Sequence, residues 1–164
     1  MFIAFIDENP TIAGRSLGDN QHSLIREAAQ CLSSALHLRG VNTEAIYKPY
    51  AMTREYVKWA AESRANFRWL CDYATTAASD YARRTGEPHK SAAVLNACVT
   101  RINSIPEGPL TPCPPNFHQD VPVVIPESGL TFKLSIDAHR ARFLHKCKKD
   151  GVSWSGPNLK PRWL

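Results

Sequence analysis

The chain has 164 residues, 43% of them hydrophobic and 21% charged, with a formal net charge of +5; it can bury one ordinary core but not two, and the composition excludes a disordered chain. Eight lysines and arginines against Asp137 and Asp150 give residues 133–164 a net +6, so the preceding residues sum to about −1 and an acidic partner would meet the C-terminal fifth. The five cysteines, Cys31, Cys71, Cys98, Cys113 and Cys147, form no C-x-x-C pair, which argues against disulfides and structural zinc and for reduced thiols in a cytoplasmic protein.

The opening "MFIAFI" is too short for a membrane span and has no basic residue ahead of it, as a signal peptide would; it predicts one short buried strand. The next stretch, "DENPTIAGRSLGDN", reads as turns. In "QHSLIREAAQCLSSALHLRG", Leu24, Ala28, Cys31, Leu32 and Ala35 recur at helical spacing, with Asn20 or Asp19 as the expected N-cap and Gly40 as the closing residue. After a connection ending at Thr53, the next expected N-cap, residues 54–84 hold no proline and predict one long helix, kinked near "YATTAASD" and stopped by Gly86 and Pro88. "HKSAAVLNACVTRIN" predicts a third helix and "TFKLSIDAHRARFLHKCKKDG" a fourth. Between them, residues 104–130 carry Pro106, Pro109, Pro112, Pro114, Pro115, Pro122 and Pro126, a density that excludes helix and predicts an extended wrapping loop. The expected fold is mainly α: one domain over residues 1–164, a compact bundle of about four helices with a short N-terminal strand, a long proline-rich loop and a basic C-terminal helix and tail at 131–164.

On one continuous helix, Trp59, Ser63, Asn66, Leu70, Tyr73, Ala77, Tyr81 and Arg84 fall within about 40° of a single line. The face that should enter the core is therefore aromatic, with Ser63, Asn66 and Arg84 embedded in it. Each such polar group must find a partner or destabilise the fold by about 1–3 kcal/mol. The partner is either the protein's own backbone or a ligand, because an apolar wall with a few convergent polar groups is what a base or small-molecule pocket needs. Trp59, Tyr73 and Tyr81 suit stacking on a planar ring, and Asn66 suits reading a Watson–Crick edge.

The preceding helix carries a second polar stripe, Asn20, Ser23, Glu27 and Ser34, beside its apolar seam. There Glu27 is the candidate general acid/base, or simply a residue at the solvent boundary. "GEPHK" sets His89 and Lys90 at the head of the third helix, where they suit a phosphate or form an ordinary exposed helix start. No phosphate-loop, dinucleotide, zinc-protease or nucleophile-elbow motif occurs, and neither a metal nor a cofactor is expected.

The segments "MFIAFID", "REAAQCLSSA", "YKP", "VKWAAESRANFRWL", "DYARRTGEPHK", "GPLTPCP" and "KPRWL", in that order, resemble a family of small, mostly phage-encoded helical proteins of poorly assigned function. That family is in turn distantly similar to the pyrimidine-dimer DNA glycosylases of the endonuclease V type, whose first helix carries an Arg-Glu pair, here Arg26–Glu27. The resemblance implies an amine attacking a sugar C1′ to form a Schiff base, with the glutamate assisting glycosidic cleavage. Where the family has a His and a Lys, this chain has Asn20 and Ser23; where it has His-Pro, this chain has Arg54–Glu55. Trp59, Ser63, Asn66, Arg84, His89 and Lys90 are kept. The expectation is a nucleic-acid-acting protein that holds a base on Trp59, Ser63, Asn66 and Tyr81 and a phosphate near Arg84, His89 and Lys90. Glu27 would be the acid/base, Arg26 the charge stabiliser and Asn20 a substrate contact. The alternative is a non-catalytic nucleotide- or partner-binding protein, such as a phage counter-defence factor. DNA or a nucleotide is the expected partner, a membrane is not, and the oligomeric state is left open.

Overall fold

The computed structural model describes residues 1–115, 122–155 and 160–164; parts of the expected proline-rich loop (116–121) and tail (156–159) lie outside them. The described helices are α1 (Pro10–Arg15), α2 (Ser23–Leu38), α3 (Glu55–Glu62), α4 (Arg64–Thr85), α5 (Ala92–Val99) and α6 (Phe132–Asp150), with a 3₁₀ turn at Ile102–Ser104. The fold is mainly α, as the sequence predicts, but four expectations change.

The N-terminal segment is buried without being a strand. Ile3, Ala4 and Phe5 are fully buried, yet no strand occurs among the described residues. Other groups serve its backbone instead: Glu27 accepts the Phe2 N–H, the Ile3 carbonyl accepts the Phe5 N–H at 3.1 Å, and Arg140 donates to the Ile6 carbonyl at 2.9 Å. Satisfying backbone groups in this way keeps burial of the segment from carrying the penalty of unmet polar atoms. The Phe5 ring contacts Trp59, Trp69, Phe132 and His139, so α3, α4 and α6 share one aromatic centre around the segment.

The expected turn at 7–20 contains α1. Asn9 accepts from the Thr11 and Ile12 amides and Pro10 opens the helix, the combination of an Asn cap and a first-turn proline that satisfies or removes orphan donors. Gly14 lets α1 lie against α4: a Cβ there would stand 2.6 Å from the Tyr73 carbonyl oxygen.

The long helix expected over 54–84 is two helices, and the break falls at Ser63 rather than near "YATTAASD". Ser63 is extended (φ −141°, ψ 150°) and its hydroxyl accepts the Asn66 N–H, capping α4. Gly86, at φ 78°, ends α4 where expected, as Gly151, at φ 59°, ends α6. The N-caps move by one to three residues: His22 precedes α2 and Arg54 precedes α3, neither with a side-chain cap bond. Helix α4 is central, packing against α1, α2, α3 and α5. No helix among the described residues is long and apolar enough to cross a membrane.

Candidate functional site

The structure divides the expected pocket residues among separate places. Trp59, Ser63 and Asn66 are buried and meet the proline-rich loop. The Ser63 hydroxyl donates to the Pro109 carbonyl at 2.7 Å. The Asn66 amide nitrogen donates to the Trp59 carbonyl and to the Thr111 hydroxyl, both at 2.9 Å, and its oxygen accepts the Thr111 N–H at 2.8 Å. The Trp59 indole donates to the Thr111 carbonyl at 3.0 Å, and the Arg64 amide donates to the Pro106 carbonyl at 2.7 Å. Asn66 and Trp59 thus pair the N–H and the carbonyl of residue 111 as a neighbouring strand would, and Asn66 also holds its hydroxyl. The extended loop cannot satisfy its own backbone, and the break at Ser63 supplies the groups that do so.

A second group forms where the start of α2 meets the end of α4. The Tyr81 ring stands edge-on to His89 at 5.0 Å and lies 5.9 Å from His22. His89 Nδ1 accepts the Ser91 N–H at 3.1 Å. Burial lowers the His89 pKa, and the charges of His22 and Arg26 lower it further, against a hydrogen bond to the His22 backbone that works to raise it. His89 is therefore a neutral ring held on both sides. Arg26 and Lys90 are exposed and have no ion pair with a described residue. A cleft of about 230 Å³ between α4 and α5, bounded by Ser79, Ala82, Pro88, His89 and Asn96, opens beside them.

Arg84 and Asn20 belong to neither group. Arg84 donates to Asp19 at 3.0 Å, Asn20 donates to the Asp150 carbonyl at 3.1 Å, and the Trp154 indole donates to the Ser16 carbonyl at 3.0 Å. The first ties the 16–20 turn to α4, and the other two fasten the end of α6 and the segment after it to the same turn. Burial works to raise the Asp19 pKa, but hydrogen bonds from Ser155, Ser153 and Arg84 outweigh it and hold the carboxyl below its ordinary range.

Glu27 faces the N-terminal segment. Its Oε2 accepts the Phe2 N–H and lies 3.6 Å from the Met1 α-ammonium, and its side chain is 23% exposed. The carboxylate is thus engaged yet reachable from solvent.

All five cysteines are buried, and burial pushes the Cys98 and Cys147 thiols up to about 11, so they serve as apolar filling rather than as nucleophiles. Sequence reasoning missed His22 as a partner of Tyr81. It also missed a cleft of about 500 Å³ between α1 and the tail, where Ile12 and Trp163 meet Arg15, Lys160 and Arg162. The available signals were the i, i+4 relation of His22 to Arg26 and the "KPRWL" ending. No family model, curated protein or solved structure matches the chain.

Proposed function

We propose that the protein binds DNA or a nucleotide on the face formed by His22, Arg26, Tyr81, His89 and Lys90 and acts on a base there, N-glycosidic cleavage being the first reaction to test. One observation carries this reading: segments at 22–26, 81 and 89–90, distant in sequence, bring a tyrosine and two histidines beside two cations that have no described ion-pair partner. Cations without a described ion-pair partner suit backbone phosphate, and a half-buried aromatic ring suits an unstacked base. In glycosidic cleavage the C1′–N bond breaks, its electron pair leaves with the base and positive charge grows on the sugar. Glu27, which follows Arg26 on α2 and is reachable from solvent, would take the proton of the water or amine whose new bond to C1′ replaces the broken one, and Arg26 would sit beside the departing anionic charge.

A second reading, a binding protein without chemistry such as a phage counter-defence factor, is favoured by the Glu27 contact with Phe2: a carboxylate that holds the N-terminal segment already has a structural task.

Base release and binding, measured together on single- and double-stranded oligonucleotides with intact and ultraviolet-damaged pyrimidines, separate the two readings. Release that falls by about 100-fold or more in Glu27→Gln, with binding kept, supports catalysis; borohydride trapping then reports whether an amine takes part. Binding without release supports the second reading. Absence of binding at low salt, where phosphate contacts are strongest, refutes a DNA partner in either reading.

A further inference from the structure

The cleft between α1 and the C-terminal tail lies apart from the face described above and shares none of its residues. Its walls are apolar: Ile12, half exposed on α1, faces it, as does the indole of Trp163. The indole is held in place, with the Arg140 guanidinium 5.1 Å over its ring and Phe143 edge-on at 6.0 Å, yet it remains partly exposed toward the cleft. At about 500 Å³ the space falls within the range that encloses small ligands.

The rim carries Arg15, Lys160 and Arg162, all exposed and none ion-paired with a described residue. Asp7, the acidic group of the lining, does not offset them, because it already accepts the Asn9 amide at 2.9 Å and lies 3.8 Å from Arg140. An indole and an isoleucine under three uncompensated cations match a flat apolar body that carries a concentrated negative charge. Three converging donors suit a phosphate dianion better than a carboxylate.

We infer that this cleft is a binding site for a nucleoside monophosphate, free or at the end of a strand, with the base against Ile12 and Trp163 and the phosphate among Arg15, Lys160 and Arg162. The site needs no chemistry and does not depend on Glu27.

The test uses the full chain and calorimetric titration with deoxyadenosine monophosphate, deoxyadenosine, inorganic phosphate, benzoate and a 5′-phosphorylated oligomer, while the Trp163 indole N–H is followed by NMR. The site predicts saturable binding of the monophosphate that shifts the Trp163 signal. Nucleoside, phosphate and benzoate should each bind at least about tenfold more weakly. Lys160→Glu with Arg162→Glu, both at exposed positions, should weaken binding by about tenfold or more, as should Ile12→Asn. Oligomer binding in competition with the monophosphate assigns the ligand to strand ends, and its failure to compete assigns it to the free nucleotide.

No saturable binding up to about 10 mM overturns the inference. So does benzoate binding as tightly as the monophosphate. Binding lost in Arg26→Ala and His89→Ala but untouched by the rim variants would also overturn it, while leaving the reading of the α2–α4 face intact.

Discussion

Replacing Asn66 with alanine removes three hydrogen bonds at once. The side chain is fully buried and joins the Trp59 carbonyl to both the backbone and the hydroxyl of Thr111. The Trp59 carbonyl is sealed in, so leaving it unmet is worth about 1–3 kcal/mol, whereas the two Thr111 groups are half-buried and lose only the net value of an ordinary bond, about 0.5–1.5 kcal/mol each. Together these give a destabilisation of about 4 kcal/mol, or roughly 12 °C in Tm for a chain of this size. Urea unfolding followed by circular dichroism measures the effect. Ser63→Ala removes the α4 cap and the bond to Pro109 and should destabilise by about 2 kcal/mol. Because both residues hold the same loop, the double variant should lose less than the sum of the single ones. A loss below about 1 kcal/mol in Asn66→Ala would refute the reasoning, since that is the value of a solvated surface amide.

Other outcomes follow from the same geometry. Gly18→Ala would place a Cβ 2.0 Å from Val152 Cγ1 and 2.8 Å from the Ser153 carbonyl; the expected result is a loss of about 1–3 kcal/mol and earlier proteolytic cleavage after α6. His139 is buried among Phe2, Phe5 and Tyr56, donates Nδ1–H to the Ser135 carbonyl at 2.8 Å, and burial pushes its pKa down to about 4. Between the ordinary value of about 6.5 and 4 the unfolded chain binds a proton that the folded chain refuses, so stability is lost, by about 3 kcal/mol, as the pH is lowered through that window. His139→Phe should flatten this slope, and an unchanged slope in urea titrations at pH 7 and 4.5 would assign the effect elsewhere. Arg84→Ala should raise the Asp19 pKa toward its ordinary range by NMR, with only about 0.5–1 kcal/mol lost because the pair is partly exposed.

The course of the chain decides which of these features could be read in advance. Helices α2 and α6 were legible because their apolar spacing and terminal glycines are local, and each element closes where Gly40 or Gly151 takes a positive φ. Helix α1 was legible in principle from Asn9 and Pro10, but six residues leave no periodicity to read. The break at Ser63 was not. Nothing in "KWAAESRANFRWL" forbids a continuous helix, and serine serves equally within one or as a cap. The choice is made by residues 106–111, whose backbone needs the donors and acceptor that an interrupted helix offers and whose Gly108 lets the loop approach Ser63, where a Cβ would stand 2.8 Å from the serine's own. The gathering of His22, Tyr81 and His89, and that of Ile12 with Trp163, join parts of the chain far apart in sequence. By itself the sequence determined that the fold is mainly helical, that its longer apolar-periodic segments are helices and that the C-terminal fifth is cationic, because periodicity and charge reside in the residues themselves. Tertiary structure alone decided which polar side chains meet the protein's own backbone and which stay open to a partner, because that depends on what packs against them.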